Sequence, residues 1–292
     1  MWPLRLAIFV AVQALLIGVF VNRAPFMMES QPRRKIWADQ PMRLIPTPQF
    51  QTKKNDIFTT GATHMCLLHN SIIRGFNSIY LQAPHVYDGD RAPFVGYALT
   101  WFRFVKSHHD DEEANLFTKV EDILGDKDIW AETHKEHESF MAGLLEYHKY
   151  LSELPSPAEL NSAELQRIMD SFREPFENHF HHEIDIIAAL ADHPKAPAPG
   201  SPEAAAASNI FKTWGKATVS KAGTSDVVPF FLLNLDGTFE DGTWANWPPM
   251  PYPIKWGLIN VAGLWNSGFW KFSSCDANGK PKELYAQGTH DT

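Results

Sequence analysis

Cysteine is almost absent from this chain: Cys66 and Cys275 are the only two in 292 residues. A disulfide framework and a thiolate metal cluster are thereby excluded, and a reducing compartment is expected. Cations are not in excess either. The net charge is -8 at pH 7, which argues against nucleic acid as a partner. There is no P-loop, no dinucleotide-binding glycine pattern and no internal repeat, so the common nucleotide scaffolds and solenoids are set aside. HExxH is missing, which counts against a zinc protease. No histidine has a glutamate three residues before it, the spacing that ferritin-like di-iron proteins use.

Histidine, by contrast, is abundant. Twelve of the thirteen fall between His64 and His193. The chain also opens with a long apolar run: the sixteen residues from Leu6 to Val21 contain one polar residue, Gln13. Such a run makes roughly 24 Å of helix at about 1.5 Å per residue. Residues 1–24 are therefore expected to form a transmembrane anchor, with Leu4 and a snorkelling Arg5 lengthening the span. A secretory signal peptide is the rival, but a cut after Asn22-Arg23-Ala24 would leave Pro25 directly beyond it. Arg23, Arg33, Arg34 and Lys35 follow the run, so the positive-inside rule leaves the bulk of the chain in the cytosol.

Residues 25–56, rich in proline and charge, read as a linker ending at the Asn55-Asp56 cap signal. Four helix-length stretches follow, each closed by breakers: about 58–81, stopping before Pro84; 94–124, ending at Gly125; 129–154, meeting Pro155; and 162–192, with Pro194 beyond and Pro175 expected to kink it. Apolar residues recur at three and four positions, as in Trp101, Phe104, Val105, Leu116 and Val120. Short connections between long helices imply antiparallel neighbours. The expected fold is all-α, an up-down four-helix bundle over residues 57–193. A Pro-rich linker at 194–202 leads to an irregular, Trp-rich extension over 203–292, in which Val227–Leu235 looks β-like.

Residues four apart share a helix face, so a histidine and a carboxylate at that spacing can grip one metal centre. The second stretch, SHHDDEEANLF, pairs His108 with Glu112 and His109 with Glu113. The fourth, ENHFHHEIDII, pairs His179 with Glu183. The third, THKEHESF, holds His134 and His137, and the first holds His69. Phase agrees with spacing. His69 lies among Met65, Cys66, Ile72, Ile73 and Phe76, and His108 and Glu112 continue the line of Trp101, Phe104, Val105 and Leu116. His137 falls with Phe140, Met141 and Leu144, and His179 follows Phe172 and Phe176. Burying these groups unpaired would cost several kcal/mol for each carboxylate, about the penalty that a metal removes. Mixed nitrogen and oxygen donors inside helices favour two irons bridged by carboxylates.

The order of His69, HHDDEE, HKEH and HFHHE resembles the hemerythrin or HHE cation-binding domain, over roughly residues 55–193. HNSIIRGFNSIYLQAPHV is similar to the first helix of its fungal-type members, and the Trp-rich tail is similar to theirs. The resemblance implies two non-haem irons with an open position for dioxygen. It implies as metal ligands His69, His108, Glu112, His134, His137, His179 and Glu183, the two glutamates bridging. His134 departs from the family spacing, and the register of His109 with Glu113 stays open. Dioxygen or another small ligand is the expected partner, bound or sensed; storage of iron is the other expectation of this reading. An oxidative enzyme acting on an organic substrate beneath Trp244, Trp247, Tyr252 and Trp256 is the alternative, and a scaffold with a structural metal is a third reading.

Overall fold

The helix starts follow from side chains that can pair first-turn amides. Asp56 accepts from the Thr59 amide at 2.8 Å, Asn161 from those of Ala163 and Glu164, and Ser201 from that of Ala204 at 3.0 Å. The computed structural model describes residues 37–288. The expected membrane anchor, residues 1–24, lies outside them. Among the described residues no helix is long and apolar enough to cross a membrane.

Among the described residues the chain is all-helical, without strands. A short α1 (Pro48–Thr52) precedes α2 (Ile57–Gln82) and α3 (Arg91–Asp111). A π-helical turn, Glu112–Leu116, joins α3 to α4 (Phe117–Leu124) without a break. Then come α5 (Ala131–Ser152) and α6 (Ser162–Ala189), with Pro175 inside it. Beyond these lie α7 (Pro202–Ala222), α8 (Val227–Leu233) and α9 (Tyr252–Asn260).

Helix α6 packs against α2 and α5, and α3 packs against the same two. Each of the four sends an aromatic ring to one cluster: Phe76 from α2, Trp101 from α3, Tyr147 from α5 and Phe176 from α6. Trp101 lies 5.7, 5.2 and 5.9 Å from the other three ring centroids. Each such buried ring contributes on the order of 1.5–3 kcal/mol, and the Trp101 indole nitrogen donates to the Ile72 carbonyl at 3.0 Å.

The C-terminal segment is largely helical, contrary to the expected irregular extension. The run PEAAAASNIFKTWGKATVSKA forms α7, begun by the Ser201 cap with Pro202 at the first position. Val227–Leu233 is α8, not a strand. A fully buried apolar run shows no diagnostic period, and Pro229 falls in the first helical turn, where its missing N–H is not needed.

This tail lies on α2 and α3 through α7 and α8. Phe230 of α8 sits over Gly75, and Phe269 over Gly96, where a Cβ would lie 2.6 Å and 2.1 Å from the rings. Arg74 and Asp236 add a buried ion pair at 2.7 Å.

The expected linker also differs. Asn77 bonds the backbone of Ala38 and Met42, and Asn70 that of Ile45, which docks residues 38–45 along α2. Covered on every side, α2 buries residues around its whole circumference, among them Arg74, Asn70, Asn77 and Gln82.

Candidate metal centre

Helix α3 runs into the site with two adjacent histidines, and adjacent residues on a helix point about 100° apart. They therefore serve different neighbours. His108 faces α2 and the tail, its ring 5.2 Å from that of His69 and 5.5 Å from Trp214 of α7. His109 faces α5 and α6, its ring 4.6 Å from His137 and 5.4 Å from His179. Two triads of buried groups result: His69, His108 and Glu112 form one, and His109, His137 and His179 the other. Within each triad the potential ligand atoms lie within 4.8 Å of one another. Glu183, one turn after His179 on α6, stands between them. Its Oε2 is 3.3 Å from His69 Nε2 and 3.8 Å from His179 Nε2. The π turn begins at Glu112, whose Oε1 lies 2.9 Å from His108 Nε2. Such turns insert one residue into a helix and often mark functional sites.

The ring tautomers follow from the outer partners. His69 Nδ1 lies 3.3 Å from the Phe180 carbonyl and His109 Nδ1 3.0 Å from that of Val105, and carbonyls only accept. His137 Nδ1 donates to Glu113 Oε1 at 2.6 Å and His179 Nδ1 to Glu136 Oε2 at 3.3 Å. Four of the five imidazoles thus carry the proton on Nδ1 and present a bare Nε2 inward, the arrangement of carboxylate- or carbonyl-oriented metal ligands.

Burial lowers the pKa of all five, to about 4 for His108 and His179, and well below the ordinary histidine range for His69 and His109. Burial likewise drives Glu112 and Glu183 well above the usual carboxylate range, reinforced at Glu112 by Glu113 and at Glu183 by Glu112. Glu136 goes the other way. The hydrogen bonds from His179 and His182 overcome the upward push of its partial burial.

Inward-facing atoms of this cluster have no hydrogen-bond partner: His109, His137 and His179 Nε2 and both oxygens of Glu112 and Glu183. Native interiors rarely leave such atoms orphaned, each costing about 1–3 kcal/mol. His69 Nε2 and His108 Nε2 are 3.1 Å apart. Metal–nitrogen bonds of about 2.1 Å at right angles would place two nitrogens about 3.0 Å apart. Five neutral imidazoles and two carboxylates therefore fit a pair of cations, one per triad, with Glu183 within reach of both. Phe104, Phe140, Phe176 and Phe180 surround the imidazoles.

Six of the seven expected ligands are brought together: His69, His108, Glu112, His137, His179 and Glu183. His134 is not among them. Its side chain is 45 % exposed and pairs with Glu113, because the inward position one turn before His137 is the buried Thr133. His109 takes the fifth imidazole place. The signal that would have found it is a second apolar line on α3, Phe102, Val105 and His109. His181 bonds the Arg43 carbonyl, His182 bonds Glu136, and His64 and His148 stack on Trp247 and Phe102. An open cavity of about 370 Å³ abuts the cluster at His137, lined also by Glu113, His134, Glu138 and Met141.

The model of the hemerythrin HHE cation binding domain matches residues 61–199. A dimeric xanthone biosynthesis cluster protein of Cryptosporiopsis sp. (strain 8999) is 31% identical over 258 residues, spanning 86% of this chain and 93% of that protein. No solved structure matches. By these two matches the chain belongs to the hemerythrin HHE cation-binding family.

Proposed function

We propose that this chain is a hemerythrin-like non-haem di-iron protein that binds dioxygen or a related small ligand. In this reading α2, α3 with α4, α5 and α6 form an up-down four-helix bundle. His69, His108 and Glu112 hold one iron, and His109, His137 and His179 the other, with Glu183 shared. The observation that carries it is the set of seven inward donors, buried together and largely without hydrogen-bond partners. Nitrogen and oxygen donors without thiolate suit iron, and a bound iron pair would supply redox chemistry toward dioxygen. The protein's own part is to hold the imidazoles in their Nδ1–H tautomers through Phe180, Val105, Glu113 and Glu136, and to exclude bulk water with phenylalanine rings.

An oxidative enzyme is the second reading, favoured by the relative assigned to a biosynthesis cluster. Oxygen consumption that depends on an added organic substrate would select it, whereas reversible uptake alone selects the carrier or sensor. Metal analysis of purified protein, with optical spectra recorded in and out of air, tests the shared core of both. Two irons per chain with near-ultraviolet bands of a bridged ferric pair are expected. A single zinc after expression in iron-replete cells would overturn it. Residues 1–24 are proposed as a membrane anchor with the remainder in the cytosol; resistance to alkaline carbonate extraction that is lost on deleting 1–24 tests this.

A further inference from the structure

The large apolar side chains that are exposed gather in one place. Tyr252, Ile254 and Trp256 lie on α9, Leu264 and Trp265 on the 3-10 turn Ala262–Asn266 that packs against it, and Val261 between the two, with Trp265 85% and Tyr252 70% exposed. Elsewhere among the described residues only Tyr87 and Leu145 belong to this class, one on each of two other segments. Apolar residues grouped this way mark an interaction surface, since scattered ones are ordinary and clustered ones are costly to hydrate.

The surface is held in place rather than loosely draped. α9 buries Ile259 and packs on α8. The Trp270 indole nitrogen donates to the Gly263 carbonyl at 2.7 Å, Asn260 bonds the Trp256 carbonyl at 3.0 Å, and Phe269 is seated on α3 over Gly96. The fold therefore fixes these side chains outward.

Charge indicates what they meet. From Gly242 to Cys275 the sequence has no aspartate or glutamate and two lysines, Lys255 and Lys271, in a chain whose net charge is -8. Lys271 is paired with Asp90, while Lys255 sits inside the apolar group between Ile254 and Trp256. An anionic surface repels most of this protein but not this face. Tryptophan and tyrosine beside aliphatic residues and a lysine are the composition that settles at the boundary between lipid headgroups and acyl chains. A second copy of the chain is a poorer match, because pairing two such faces would bring Lys255 against its own counterpart and two net-acidic bodies together. The apolar run Leu6–Val21 gives an independent, sequence-level reason to expect a bilayer near this chain.

We propose that the face formed by Tyr252, Ile254, Trp256, Val261, Leu264 and Trp265 docks on the headgroup–acyl boundary of an anionic lipid bilayer, distinct from any spanning segment.

The test uses the full chain carrying an environment-sensitive fluorophore on Val261→Cys, with Leu145→Cys on α5 as the control. Cys66 and Cys275 are buried and stay unlabelled. On vesicles of phosphatidylcholine with phosphatidylserine, the probe at 261 should shift to the blue, lose quenching by iodide and gain quenching by brominated lipid. The control probe should do none of these, even where residues 1–24 insert. Phosphatidylcholine alone should give a smaller response. Trp265→Ser with Leu264→Ser replaces two exposed residues and should leave the circular dichroism unchanged while restoring iodide access at 261. A probe at 261 that stays open to iodide on protein-loaded vesicles overturns the proposal. So does protection that rises with protein concentration before vesicles are added, which would assign the face to a second copy.

Discussion

Stripping the metal should switch on a steep pH dependence of stability that the loaded protein lacks. In the stripped centre five imidazoles resist protonation and two carboxyls resist ionisation, all through burial. In the unfolded chain imidazoles protonate below about pH 6.5 and glutamates below about 4.3. As pH falls below about 6.5 the unfolded chain takes up five protons that the folded imidazoles resist. The folded carboxyls keep two that the unfolded chain has released. The net excess of three favours unfolding as pH falls, with a limiting slope of about 4 kcal/mol per pH unit. The fall ends as the folded imidazoles themselves protonate, at about 4 for His108 and His179.

The two carboxyls act in the opposite sense, because their raised pKa values make stability decline as pH rises through them. Stripped protein should thus lose stability as pH falls below about 6.5, where the unfolded imidazoles protonate. Loaded protein, whose ligands are held deprotonated by the ions, should show a flat profile until protons displace metal. Urea unfolding followed by circular dichroism from pH 5 to 8, on chelator-treated and loaded samples, measures both. A flat stripped profile between pH 5 and 6.5 would refute the picture of a buried, neutral ligand set.

Six substitutions test the centre and its surroundings. Glu183→Gln should lower occupancy of both ions, and Glu112→Gln mainly that of the ion beside His69 and His108, read as metal per chain. His109→Ala should remove about one ion, in line with losing one ligand of a triad, while His134→Ala should leave the metal content near that of the parent. Arg74→Ala strands Asp236 in the interior and should cost about 3–5 kcal/mol in urea unfolding. Trp214→Ala should speed metal loss to a chelator without changing the initial content.

The burial and clustering of His69, His108, Glu112, His137, His179 and Glu183 were legible because periodicity reports the face that a helix buries. The choice between His108 and His109 stays open in the sequence because α3 buries two stripes: His109 lies on the one against α5 and α6, and His108 on the one against α2 and beneath α7, whose docking leaves no local mark in α3. His134 lies outside the buried cluster for a smaller reason. Three residues before His137 is near the right face, but four is nearer, and Thr133 occupies it. The tail helix α7 carried readable signs in Ser201, Pro202 and its alanines, whereas α8 did not, since a seven-residue run buried on all sides has no period to read. Nor does composition distinguish the proline-rich stretch before Asp56 from a free linker, because what docks it is Asn70 and Asn77 on a helix downstream.

The seal that α7 places over His108 through Trp214 also orders events during synthesis. Every inward donor is present once residue 183 has been made, and the covering segment begins only at Pro202. At about 5–20 residues per second the ribosome needs about 2–8 s to carry synthesis from Glu183 through Ala222. Through that interval the nascent protein has its coordinating groups before it has its roof. If the cluster takes up cations, the open stage before α7 forms is when they enter with least obstruction, and metal added to completed chains should load more slowly than metal present during synthesis.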